Sequence, residues 1–254
     1  MPVVIQVQNE STAMTDSAAT RILIAVAAQV KQDVAPAWGF GAVALQFFSK
    51  GEELDPDERQ FIILDASDHA SAAGYHQTTS GGAPIGYAFV KPTIAAGLHP
   101  SVTISHEILE MLGDERIDQY CIWSDLPNPL FLCRELCDPV EADDFAYETA
   151  GFPGVKVSNF VLPSYFLPDA KGPFDFRRVL KGANTLAAGG YQSTWAPRHG
   201  HRAVQDDRWP SKRLALGRTH REPLSRTERR RVGRREWLCS EERARRFTPE
   251  RAYS

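Results

Sequence analysis

Ser101-Val-Thr-Ile-Ser-His-Glu-Ile-Leu-Glu-Met-Leu-Gly113 decides the architecture, because its spacing describes one helix with two unlike faces. Ser101 suits an N-cap, and Gly113 suits the left-handed position that closes a helix. With His106 as zero on a helical wheel, Glu110 falls at about 40°, Thr103 at about 60°, Asp114 at about 80° and Glu107 at about 100°. Ile104, Ile108, Met111 and Leu112 gather at roughly 140° to 240°. One face is apolar, and the face beside it collects an imidazole and several carboxylates.

That spacing meets a chemical requirement. Two ligands four residues apart stand one above the other and grip a single ion. Imidazole and carboxylate are both ordinary zinc ligands, and a catalytic site combines three protein ligands with an open position. Zinc brings the pKa of water towards neutrality, and a neighbouring carboxylate can take the proton. His106 and Glu110 are therefore read as metal ligands. Glu107 holds the base position of H-E-x-x-H, with Glu110 in place of the second histidine. The competing reading is an amphipathic helix whose polar face meets water, since H-E-x-x-E also arises by chance on exposed helices.

Working outward, the chain before this helix alternates helical and strand patterns. Val3–Gln8 reads as a strand. Thr15 caps a helix running to about Val34, with Ile22, Val26 and Val30 on one face and Pro36 just beyond its end. Ala42–Phe48, Gln60–Asp65 and Ile85–Val90 are β-rich runs, separated by the charged Gly51–Arg59 segment and the Ser80-Gly-Gly-Ala-Pro84 turn. From Gly113 to about Tyr191 the chain is rich in Pro, Gly and aromatics, which predicts short elements and long loops. The fold class is α+β.

A third ligand must come from this later part. Arg134-Glu-Leu-Cys-Asp-Pro-Val-Glu141 presents Glu135, Asp138 and Glu141 three apart, as on a second acidic helix turn. Glu135 is the favoured ligand, with Asp138 orienting His106 from behind. Asp138, Glu141 and Asp114 remain open as alternatives. His76, in a Gly-Tyr-His segment beside a glycine-rich loop, is a candidate catalytic group that would donate a hydrogen bond in the transition state; the alternative is an ordinary loop histidine. Tyr165 and the pair Cys133 and Cys137 are read as core side chains and buried thiols.

Taken in order, Gly74-Tyr-His76, Ser105-His-Glu-Ile-Leu-Glu-Met111, Glu135-Leu-Cys-Asp138 with Glu141, Val157-Ser-Asn-Phe-Val-Leu-Pro163 and Gly189-Gly-Tyr191 resemble a group of bacterial and phage proteins described as zincin-like metallopeptidases. The resemblance covers roughly residues 60–192, and one departure is visible: Asp114-Glu115 stands where the group tends to have Asp-Pro. It implies a zincin-like domain over residues 1–192 with the active-site helix at about 101–112. It also implies a metal-dependent hydrolase, with the family's histidine and glutamates carried onto His106, Glu107 and Glu110; a peptide or protein substrate is the expectation drawn from the helix face itself. In that fold the last strand before the helix lies along the cleft, and Ile85–Val90 would be that strand. Zinc is the expected ion, and a His/carboxylate set also suits manganese or iron.

Charge divides the chain. Residues 196–254 hold 17 Lys or Arg against 8 Asp or Glu, whereas residues 1–195 hold 12 against 24, so an acidic body carries a basic tail. Residues 193–254 are read as a loosely structured Arg-rich tail with at most a short helix near Ser240–Phe247. Such a tail can neutralise phosphates, so the second functional reading is an inactive zincin-like protein that binds nucleic acid or another acidic partner. No apolar run reaches the ~18 residues of a membrane span, no basic-then-apolar leader opens the sequence, and four cysteines are too few for a disulfide scaffold. A cytoplasmic location is expected. Oligomeric state is not legible.

Overall fold

A computed structural model describes residues 2–67, 72–124, 130–195 and 204–205. His69, Cys239, nearly all of the Arg-rich tail and the expected helix near Ser240–Phe247 lie outside the described residues. The fold is α+β. Strands β1 (Val3–Asn9), β2 (Val43–Phe48), β3 (Arg59–Leu64), β4 (Gly74–Thr78) and β5 (Pro84–Phe89) form one mixed sheet in the order β2-β1-β3-β5-β4. The first four in that order run parallel, with Ile5 opposite Arg59 and Gln60 opposite Ile85. β4 closes the edge antiparallel to β5, placing His76 opposite Gly86.

Helix α1 (Asp16–Gln29) makes the crossover from β1 to β2. Thr15 caps it as expected, its hydroxyl accepting from the Ala18 amide at 3.2 Å. The helix does not run evenly to Val34. It widens into a π turn over Val30–Val34, where the Ala35 amide reaches back to Val30, and continues as α2 (Ala35–Trp38), so Pro36 lies inside it. A proline has no amide to donate and its ring collides with the carbonyl four residues back, and a widened turn relieves both. Gly39, at φ 69°, then ends the helix.

α3 (Val90–Ala95) leads into α4 (Pro100–Gly113), the helix anticipated from the sequence. Its ends differ from expectation. His99 is the N-cap and Pro100 opens the first turn, where a missing amide costs nothing, so Ser101 is already helical and buried. Gly113 is the last helical residue rather than a left-handed cap, and Asp114 follows in an extended conformation. Glycine is needed there for space: a Cβ would sit 2.1 Å from Leu136 Cδ1.

α4 packs on β5 and β4 on one side and on β9 (Lys156–Val157) on another, β9 being paired with β8 (Tyr147–Glu148). A second, antiparallel sheet combines β6 (Tyr120–Ser124), β7 (Leu130–Cys133), β10 (Ser193–Trp195) and β11 (Val204–Gln205) in the order β11-β10-β7-β6. The short elements from 114 onward agree with the Pro- and Gly-rich composition there. Ile5, Val7, Phe61, Ile63 and Ala88 from the first sheet join Ile104, Ile108, Leu109 and Met111 from α4 and Val157, Phe160 and Tyr165 from the later segments in one core. Buried polar bonds fasten the parts. Gln29 donates to the Ser158 carbonyl at 2.8 Å, Trp38 Nε1 donates to the Val161 carbonyl at 3.0 Å, and the Ser158 amide donates to Ser105 Oγ at 2.6 Å. Among the described residues no helix is long and apolar enough to cross a membrane.

Candidate metal centre

Every residue from Ser101 to Met111 is buried, His106, Glu107 and Glu110 included. The polar face of α4 therefore does not meet water, which removes the reading of an ordinary solvated helix. It meets carboxylates delivered by the segment after β7. Glu135 lies just beyond that strand, Asp138 opens a single 3-10 turn over Asp138–Val140, and Glu141 caps it. Residues three apart eclipse on a 3-10 turn. Asp138 and Glu141 thus present their side chains together, on one tight turn where the sequence suggested a helix.

Six carboxylates from these elements, Glu107, Glu110, Asp114, Glu135, Asp138 and Glu141, are each 5% exposed or less. The two histidines among them, His76 and His106, are each 1% exposed. His106 Nε2 lies 3.0 Å from Glu110 Oε1 and 3.2 Å from Asp138 Oδ1. Asp138 therefore faces the same ring nitrogen as Glu110, not the far side of the ring, and His106 Nδ1 makes no hydrogen bond. Glu107 Oε2 is likewise buried with no hydrogen-bond partner. His76 is not on a loop: it belongs to β4, and its Nδ1 lies 3.7 Å from Glu107 Oε2 and 3.6 Å from Glu110 Oε2. Its other nitrogen, Nε2, is 3.1 Å from the Asp114 carbonyl oxygen.

Among the described residues, three groups bring ligand atoms within 4.8 Å of one another: His106 with Glu107 and Glu110, His106 with Asp138 and Glu141, and His76 with Glu110 and Glu135. Glu135 thus gathers with His76, while Asp138 and Glu141 gather with His106. The Asp114 carboxylate accepts the amides of Asp118 and Gln119 at the exit from α4.

Electrostatics follow from the crowding. Burial pulls the His106 imidazole down, but the charges of Glu110, Asp138 and Glu107 outweigh it and hold the ring well above its ordinary range. Burial and then the charge of Glu110 push the Asp138 carboxyl far up. Burial and Glu135 raise Asp114 to about 8. Cys137, buried beside Glu110 and Asp138, is driven up in the same way and keeps its proton. So many carboxylates out of water either hold protons or neutralise a cation. The donor set fits a divalent ion. Bonds of about 2.0–2.1 Å to a tetrahedral ion put ligand atoms about 3.3 Å apart, close to the two contacts at His106 Nε2.

The sequence signalled His106, Glu107 and Glu110 through their spacing on one helix. Nothing in it marked the pairing of His76 with this helix, which depends on β4 lying beside α4. No protein-family model, curated protein or solved structure matches the chain.

Proposed function

We propose that the protein is a metal-dependent hydrolase of the zincin type acting on peptide bonds, with Glu107 as general base. The observation that carries this reading is the buried His106 Nε2 between Glu110 Oε1 and Asp138 Oδ1, one residue from a carboxylate oxygen with no hydrogen bond of its own. His106, Glu110 and Asp138 are the residues that would hold the ion, with Glu141 beside them. The ion, when bound, polarises a carbonyl and supplies water at a lowered pKa. Glu107 accepts a proton at Oε2 and returns it to the leaving amine, a role worth about 10²–10⁴ in rate. The sheet order supports the same reading. One of its two edge strands is β4, which runs antiparallel to β5 and packs beside α4, where an extended peptide can pair with an edge. Ile85–Val90, the run expected to line the cleft, corresponds to β5 and is covered on both sides by β3 and β4.

A second reading, a closed structural metal site, draws on the near-complete burial of every ligand. One experiment separates the two. Zinc content by plasma mass spectrometry is measured for wild type, His106→Ala and Glu107→Gln, followed by cleavage of a mixed peptide library. A hydrolase binds less zinc as His106→Ala than as wild type, keeps its zinc in Glu107→Gln, and loses cleavage in both. Zinc binding with no cleavage by wild type supports the structural site, and no zinc in wild type sinks both readings.

A further inference from the structure

We propose a second cation site that shares Glu110 with the first and is held by His76 Nδ1, Glu110 Oε2 and Glu135. It rests on the metal reading above and extends it from one ion to two. His76 turns its far nitrogen to the backbone. Its Nε2 lies 3.1 Å from the backbone oxygen of Asp114, and a carbonyl only accepts, so Nε2 carries the proton. Nδ1 is the ring nitrogen turned toward the carboxylates. It faces Glu110 Oε2 at 3.6 Å and Glu107 Oε2 at 3.7 Å.

Two buried carboxylate oxygens turned toward one imidazole nitrogen call for positive charge among them. A metal ion fits well: bonds of about 2.0–2.2 Å in a tetrahedral arrangement set ligand atoms about 3.3–3.6 Å apart. A metal-ligating histidine also commonly donates its other ring N–H to a backbone carbonyl, as His76 does. Glu107 Oε2, buried without a hydrogen bond, supplies an independent sign that an electropositive partner belongs here. Glu135 brings a carboxylate oxygen within 4.8 Å of a ring nitrogen of His76 and a carboxylate oxygen of Glu110.

Glu110 joins the two halves. Its Oε1 faces His106 and its Oε2 faces His76, the geometry of a carboxylate that bridges two ions. Two-metal hydrolase centres hold their ions about 3.5–4 Å apart and clamp both the attacking and the leaving oxygen. A centre with two imidazoles and several carboxylates suits Mn²⁺ or Fe²⁺ as well as Zn²⁺.

The test uses the full-length chain, stripped with chelator, titrated with Mn²⁺ and desalted. Metal is counted by plasma mass spectrometry, and its magnetism is read by electron paramagnetic resonance. The expected result is about two Mn²⁺ per wild-type chain with an exchange-coupled spectrum. His76→Gln and His106→Gln should each hold about one, with an isolated-ion spectrum. One uncoupled Mn²⁺ per wild-type chain, kept in His76→Gln and lost in His106→Gln, would overturn the second site while leaving the proposed function standing. No metal in wild type, with Mn²⁺ or Zn²⁺, would overturn both. The wild-type spectrum decides the matter even where a substitution prevents folding.

Discussion

Replacing Gly190 by alanine should damage the metal centre without touching any ligand. Gly190 is buried against the turn that carries Asp138, and a Cβ there would lie 2.2 Å from the Pro139 carbonyl oxygen and 3.0 Å from that of Asp138. The obstructing atoms are backbone, so no rotamer change relieves the contact. Ordinary carbon contact begins near 3.4 Å, so the two segments must part by about 1 Å. They are joined by the Ala187 amide on the Pro139 carbonyl and the Tyr191 amide on the Asp138 carbonyl, both at 3.0 Å. Stretched by about 1 Å, both pass out of hydrogen-bond range. Two lost bonds at about 1 kcal/mol each, with about 1–3 kcal/mol of overpacking, give a destabilisation of about 3–5 kcal/mol. For a chain of this size that lowers Tm by roughly 6–20 °C. Asp138 and Glu141 move with the turn, and loss of such support weakens metal affinity by about 10–100-fold. Calorimetry and a competition titration with a chromophoric chelator measure the two effects. Gly81→Ala, where a Cβ would meet nothing closer than 3.7 Å, is the control and should be neutral. A Gly190→Ala protein that melts within about 2 °C of wild type and binds metal equally would show that the Pro139 carbonyl is not fixed against Gly190.

Gly113→Ala should cost about 1–3 kcal/mol through its collision with Leu136; shortening the neighbour in Gly113→Ala/Leu136→Val should recover part of that loss, and an additive double mutant would contradict the contact. Trp38→Phe removes the indole donor from the buried Val161 carbonyl and should lower stability by about 1–3 kcal/mol in denaturant melts. Asp65 accepts from Ser11, Thr12 and Ala13 and pairs with Lys91 at 2.9 Å, and the Ser11 and Thr12 bonds lead in holding its carboxyl below the ordinary 3.8. A carboxyl depressed in the folded state stabilises above its unfolded value and loses that contribution as pH falls through the folded one. The Tm gap between wild type and Asp65→Asn should therefore be constant above about pH 4 and close as pH drops further, and a gap independent of pH down to 2 would exclude the assignment.

The strands and helices that were legible in the sequence are those whose apolar spacing is set by a single partner surface. β1, α1, β3, β5 and α4 all show that signal. β4 did not, because Gly74-Tyr-His-Gln-Thr78 pairs only along one edge and its period is broken by glycine and polar side chains. The helix ends were misplaced for a related reason. Ser101 is a fair cap by propensity, but Pro100 fixes the first turn one residue earlier, and Gly113 is required by the approach of Leu136 rather than by its own backbone angle. In the site, residues sharing one helix were readable from their spacing. Which of Glu135, Asp138 and Glu141 meets which histidine depends on a 3-10 turn pinned by Gly190 and Tyr191, some fifty residues downstream, and no local pattern carries that distance.

The enclosure of the centre has a kinetic consequence. With His76, His106 and their carboxylates sealed from solvent, a chelator in solution has no ligand atom to displace directly. An ion held there would leave through a local opening of the segments around it, with its own free energy and rate. Raising the chelator concentration should speed extraction at first and then reach a plateau equal to the opening rate. The centre would exchange its metal on the clock of the polypeptide, however tight or weak the equilibrium binding.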